Sequence, residues 1–244
     1  MDMKTEMKQR LLSHYRFRIE LHAHTNPASR CSELPPEQFV KNFKANGYDG
    51  VVLTNHFSKK NFFVYHDYKD KEDALAQYLA DWYAVKAAAD RVGLKAYLGA
   101  ELRFSDIDEN DYLLFGADEQ TLSVAYDFME KDPAAFVREG KDPRSLFVQA
   151  HPHRDNMTQI DPALLDGYEV FNMHPNHNGR IALAQRYAME HGIALRTIGT
   201  DYHHPGHENL SAARFAELPE DSFALATLLK QNDFIGEVGD TILF

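Results

Sequence analysis

Four short apolar, β-branched runs in this chain end in histidine or aspartate, and that repetition constrains the fold more than any other feature. They are Ile19-Glu20-Leu21-His22-Ala23-His24, Val51-Val52-Leu53-Thr54-Asn55-His56, Leu146-Phe147-Val148-Gln149-Ala150-His151-Pro152-His153 and Leu195-Arg196-Thr197-Ile198-Gly199-Thr200-Asp201-Tyr202-His203. Such runs read as buried strands. Strands that each deliver a polar side chain from the C-terminal end describe the active face of a closed α/β sheet. With 13 histidines in 244 residues, this clustering points to a metal-dependent hydrolase.

The chain suits a single α/β barrel domain spanning 1–244. Helical and strand patterns alternate along it. Residues 1–16 form a leading helix or arm. Strands are expected over 17–22, 50–54, 94–100, 112–116, 167–171 and 194–199, with a further one before His151. Helices are expected over 73–92, 119–130, 134–139, 179–191 and 221–231, with another from Pro35-Pro36 to Asn46-Gly47. Alternation of this kind predicts a largely parallel sheet with right-handed crossovers. Seven strands before the tail favour a barrel or distorted barrel over an open doubly wound sheet, and no glycine-rich phosphate loop is present.

Composition bounds the partners. A net charge of −11 disfavours a nucleic-acid surface. Two or three bound divalent cations would return about four to six positive charges to one pocket, so an anionic small substrate remains compatible. No apolar run reaches membrane-span length, the N-terminus lacks a signal-peptide core, and the single cysteine, Cys31, suits a reducing cytoplasm.

His22 and His24 share one side of a strand, because side chains alternate with period two. Two histidines merely hydrogen-bonded to backbone would give the same local pattern, so the weight lies in the ensemble. Glu101 follows Tyr97-Leu98-Gly99-Ala100, where it could bridge two metals, and Asp201 and His203 repeat the period-two spacing. Imidazole and carboxylate suit zinc, manganese or iron.

His22-Ala23-His24-Thr25, Thr54-Asn55-His56, Gly99-Ala100-Glu101, Ala150-His151-Pro152-His153-Arg154 and Gly199-Thr200-Asp201-Tyr202-His203 resemble, in order, the motifs of the PHP (polymerase and histidinol phosphatase) family. The resemblance runs from residue 19 to about residue 207. It implies a distorted (β/α)7 TIM-like barrel with two or three divalent metals at its C-terminal face. Carried over by match, His22, His24, Glu101 and Asp201 would hold the first metal. Glu101 and His151 would hold a second, and His56 and His203 a third. The chain departs from the pattern twice. Where the family often has His or Asp after the second motif histidine, residues 27–32 offer only Cys31. Where it often has another histidine for the second metal, the chain offers Asp108, Glu109 or Asp111.

Arg154 is the expected phosphate clamp, since guanidinium matches phosphate with two parallel donors. Arg30 is a second choice and Arg180 a weaker one. His153 is a ligand or substrate contact, with Pro152 holding both rings inward. His174 and His177 are substrate contacts, while His204 and His207 read as loop residues. His14, His66 and His191 read as surface or packing residues. Phe57, Phe62, Phe63, Tyr65 and Tyr68 are more simply packing than a lid. The expected reaction is hydrolysis of a small phosphate ester by metal-activated hydroxide, with His203, His151 or His153 protonating the leaving group. The alternatives are an amidohydrolase-type C–N hydrolase and a non-catalytic metal-binding relic.

Overall fold

The structure, a computed structural model, describes residues 3–105 and 109–243. Helix α1 (Met3–His14) buries no residue. It is followed by β1 (Phe17–Ala23), α2 (Pro36–Ala45), β2 (Gly50–Leu53), the two-residue β3 (His56–Phe57) and α3 (Lys71–Val92). Next come β4 (Lys95–Leu98), β5 (Ala100–Leu102), β6 (Tyr112–Phe115), α4 (Glu119–Phe128), α5 (Pro133–Glu139), β7 (Leu146–Gln149), β8 (Gly167–Asn172), α6 (Ile181–Glu190) and β9 (Leu195–Gly199). The tail is β10 (Ser211–Phe215), α7 (Ser222–Lys230), β11 (Ile235–Val238) and β12 (Thr241–Leu243).

Local chemistry sets the helix ends. Asp70 caps α3 by accepting a hydrogen bond from the Asp73 N–H at 2.9 Å. Asp118 and Thr121 cap α4 reciprocally, and Pro36 and Pro133 occupy first turns where a missing N–H costs nothing. No helix among the described residues is long and apolar enough to cross a membrane.

The strands form two six-stranded sheets, ordered β12-β11-β10-β1-β2-β4 and β3-β5-β6-β7-β8-β9. β2 and β4 each hand the chain to the second sheet, through β3 and β5. The expected strand over 94–100 is therefore split at Gly99, which lies where a Cβ would stand 2.9 Å from both the Leu114 carbonyl and Val52 Cγ1. The expected largely parallel sheet is corrected to a mixed one. β6 runs antiparallel to both β5 and β7, and the tail strands β10, β11 and β12 pair antiparallel. Between β9 and β1 the link is one parallel bridge, Ala23 to Tyr202, so the ladders of the described residues do not make one continuous closed barrel.

Period-two alternation divides each strand between two cores. Ile19, Leu21, Val52, Leu113, Phe115, Val148 and Ile198, drawn from both sheets, meet in one cluster. Val51 and Leu53 face outward onto Phe39, Phe43, Val85 and Ala89 of α2 and α3. Leu114 and Phe147 face outward onto Tyr78, Leu122 and Phe136 of α3, α4 and α5. Each fully buried side chain of this size contributes about 1.5–3 kcal/mol. The shared cluster holds the two sheets together and fixes the ends of their strands.

Candidate metal centre

The polar strand ends meet at one end of that shared core. His22 is in β1 and His24 just beyond it, His56 opens β3, Glu101 is in β5, His151 follows β7, and Asp201 and His203 follow β9. Because β6 is antiparallel, its start lies on this side, and Asp111, the residue before it, joins the group. Arg103 Nε and Nη2 donate to the two oxygens of Asp111 at 2.7 and 2.6 Å; of the other acidic residues expected near the second metal, Glu109 pairs with Arg103 and Lys60, and Asp108 lies outside the described residues.

Glu101 is central. Its Oε1 stands 3.4 Å from His22 Nε2 and 3.0 Å from His151 Nε2. Its Oε2 stands 2.7 Å from His56 Nδ1 and 3.5 Å from His24 Nε2. Asp201 Oδ1 is 3.4 Å from His22 Nε2, His24 Nε2 and His203 Nδ1. Three sets of ligand-type atoms result, each within 4.8 Å of one another: His22, His24 and Asp201; His24, His56 and His203; Glu101, Asp111 and His151.

These atoms fit divalent cations better than they fit each other. His22 Nε2 and His24 Nε2 are buried without a hydrogen-bond partner, and His56 Nδ1 and Glu101 Oε2, though 2.7 Å apart, do not meet in hydrogen-bond geometry, a costly state for polar atoms. Spacings of 3.4 Å match the edge of a tetrahedron around a cation bound at about 2.1 Å, roughly 3.4 Å. Charge is arranged accordingly. Burial raises the carboxyls of Glu101 and Asp201, but the surrounding histidines outweigh it and hold both well below the usual carboxylate range. Burial, then His203 and His56, push His24 far below the usual imidazole value, leaving it neutral with a free lone pair. At Cys31, burial raises the thiol, but hydrogen bonds with His203 and His56 outweigh this and bring it to about 6.

Beneath the ligands lie two buried carboxylates that the sequence motifs do not mark. Glu169 Oε1 accepts a hydrogen bond from His22 Nδ1 at 2.8 Å. Its Oε2 accepts from the His151 backbone N–H at 2.9 Å and from Asn172 Nδ2 at 3.0 Å. Asn172 Nδ2 also donates to Asp201 Oδ2 at 3.2 Å. A carboxylate only accepts, so His22 carries its proton on Nδ1 and turns Nε2 to the centre. Glu20 Oε1 accepts from the backbone N–H groups of His22 and Thr200, both at 2.9 Å, and burial lifts its carboxyl to about 7. A Cβ on Gly199 would lie 2.6 Å from His22 Cβ and 2.9 Å from Glu169 Oε1, so this floor requires glycine. The available signal for Glu169 was a lone charge inside Gly167-Tyr168-Glu169-Val170-Phe171, since a charge in a buried strand must be paired.

A cavity of about 730 Å³ opens over the cluster, lined by Arg30, Cys31, Arg154, His174, His177 and His203 among others. Arg154 reaches it between Asp111 Oδ2, 3.6 Å from Nη2, and His177 Nδ1, 3.4 Å from Nη1. His174 and His177 stack at 3.8 Å. The Arg30 guanidinium lies over the Tyr65 ring at 4.1 Å. His153 is not brought in: its ring packs 5.7 Å from that of Tyr187 on α6. The reason is the backbone at His151, whose φ of 28° breaks the alternation that would have aligned the two rings. Arg180 binds the His153 carbonyl and Asp155 instead of the cavity. Phe57, Phe62 and Phe63 are buried packing residues, and Tyr65 alone of the aromatic group expected as lid or packing lines both this cavity and the rim beside it.

No protein-family model matches the sequence, and none of the curated proteins does. Solved structures do share the fold. A two-domain protein from Bacteroides vulgatus, containing a predicted PHP-like metal-dependent phosphoesterase, matches 93% of this chain with a TM-score of 0.65 and 15% identity. This chain covers 66% of that protein, about two thirds of its length. A provisionally assigned metal-dependent phosphoesterase from Bifidobacterium adolescentis matches 87% of this chain, and 96% of its own, with a TM-score of 0.50 and 18% identity. At such identities the likeness is one of fold, and the chemistry rests on the side chains described above.

Proposed function

We propose that this chain is a PHP-family, metal-dependent hydrolase of small phosphate esters. On this reading it is a single domain whose two sheets form a distorted TIM-like barrel across the Ala23–Tyr202 bridge, and it works in a reducing cytoplasm. The observation that carries the proposal is the convergence of unpartnered His22 Nε2 and His24 Nε2 with His56 and Glu101 beneath an arginine-lined cavity.

Two or three divalent cations would be held by His22, His24 and Asp201, by Glu101, Asp111 and His151, and by His56 and His203. When bound, they supply Lewis acidity, drawing charge from phosphoryl oxygens and making water acidic enough to attack at neutral pH. Glu169 keeps His22 in the tautomer that presents Nε2. Arg154 grips two phosphoryl oxygens with parallel N–H groups, and Arg30 faces the more distant part of the substrate. His177 Nδ1 faces Arg154 Nη1, 3.4 Å away; a guanidinium only donates, so Nδ1 accepts and Nε2 keeps the proton that it gives to the departing oxygen. His203, whose Nδ1 contacts the Asp201 carbonyl at 2.8 Å, serves the metal rather than the leaving group.

Phosphate release from a panel of sugar, amino-alcohol and nucleotide monophosphates, measured with manganese- and zinc-loaded protein, tests this. His22→Ala and Asp201→Ala should lose metal and turnover together while keeping the fold. Full metal content and full turnover in both variants would overturn the assignment. Bound metal with silence across the panel would favour C–N hydrolysis or a binding role.

A further inference from the structure

Cys31 sits on the rim of the cavity, which His56 and His203 line with it, and its residue is exposed to solvent. The loop that carries it is tied down on both sides. Ser29 Oγ accepts from the His56 backbone N–H at 3.0 Å and contacts His24 Nδ1 at 3.1 Å. Ser32 Oγ donates to the carbonyls of His24 and His203 at 3.0 and 3.3 Å, and the Glu33 N–H donates to the His203 carbonyl at 2.9 Å. Cys31 is thereby fixed to the three segments that carry His24, His56 and His203. Those histidines present ligand atoms within 4.8 Å of one another. His24, fully buried, has an Nε2 with no hydrogen-bond partner. The thiol thus borders a set of imidazoles whose nitrogens already converge.

We propose that Cys31 is a ligand of the cation held by His56 and His203, making that end of the centre selective for a thiophilic divalent ion such as zinc. A coordinating thiol gives up its proton to solvent on binding. Thiolate favours zinc, whereas the imidazole and carboxylate donors elsewhere in the cluster also accept manganese or iron. The proposal rests on the metal-centre reading above but not on phosphate chemistry.

Cobalt substitution tests it, because the chain has one cysteine and any thiolate-to-cobalt charge-transfer band must come from Cys31. The cobalt-loaded protein should show that band in the near ultraviolet, and Cys31→Ser should lose it while keeping the cobalt bound at the other ligands. In the unmutated protein, iodoacetamide should label Cys31 when metal is stripped and fail to label it when zinc is bound. Cobalt bound without the band, together with equal labelling in the presence and absence of zinc, would overturn the role of Cys31 and leave the metal centre standing. Retention of no cobalt and no zinc would overturn both.

Discussion

Glu169 is the residue whose removal most sharply separates a metal centre from a polar core. Its two oxygens accept from His22 Nδ1, the His151 N–H and Asn172 Nδ2 at 2.8, 2.9 and 3.0 Å. Glu169→Ala leaves His22 Nδ1 and the His151 N–H buried without a partner, at about 1–3 kcal/mol apiece, while Asn172 Nδ2 keeps Asp201 Oδ2. Loss of the carboxylate's own desolvation cost, and of its repulsion with Asp201, offsets part of this, giving a net loss of about 2–4 kcal/mol. Metal affinity should fall as well, because His22 can then rotate or move its proton to Nε2. Losing a carboxylate behind a ligating histidine typically weakens metal binding by about 10–100-fold, or roughly 1.4–2.7 kcal/mol. Glu169→Gln keeps an acceptor for His22 but sets an NH2 group against the other two donors, so its loss should be intermediate. Competition with a chromogenic chelator reads the affinity and urea unfolding reads the stability. A folded Glu169→Ala protein with unchanged zinc and manganese affinity would refute the positioning role.

Chelation should abolish turnover and lower the thermal midpoint by roughly 5–10 °C, from about 2.7 kcal/mol of linkage at a hundredfold excess of metal; re-addition of zinc or manganese should restore both, as calorimetry would show. Arg154→Lys should lower kcat/KM by about 10–100-fold with metal content unchanged, since an ammonium cannot reproduce the paired donors; steady-state kinetics beside elemental analysis checks this. Gly199→Ala drives a methyl to 2.6 Å from His22 Cβ; it should cost about 1–3 kcal/mol and deplete bound metal, and a variant with full stability and full metal would contradict the packing. His153→Ala should leave turnover within about twofold, because its half-buried ring packs against Tyr187, away from the ligand cluster; a tenfold loss would return His153 to the site.

Much of this centre was legible because strand alternation is local. His22 and His24 share a side by period two alone, and the apolar runs before His56, His151 and Asp201 locate strand ends from composition. Direction was not local. Tyr112-Leu113-Leu114-Phe115 reads equally well forwards and backwards, so nothing in the run shows that β6 is antiparallel, nor that Asp111 therefore falls on the active side. The split at Gly99 depends on Leu114 and Val52 crossing behind it, which is tertiary. β10, Ser211-Ala212-Ala213-Arg214-Phe215, contains no β-branched residue and owes its strand form to pairing between β1 and β11. His153 defeats sequence reading for a backbone reason, the positive φ two residues earlier.

That φ has a counterpart. His151 at 28° and Asp201 at 51° are both non-glycine residues in sparsely populated backbone regions, at about 1–3 kcal/mol each. Both are buried, and both reach toward the same cluster, where other buried atoms go without partners. A chain under selection for stability alone would place glycine or asparagine at these turns and apolar side chains behind them. The surrounding core explains how the cost is tolerated: Leu113, Val148 and Ile198, from β6, β7 and β9, lie in the shared cluster below. It does not explain why the cost is there. Cation binding would, because ligands converging on one ion would relieve the unpartnered lone pairs and the crowding of negative charge, and His151 and Asp201 are two of the residues that would supply those ligands.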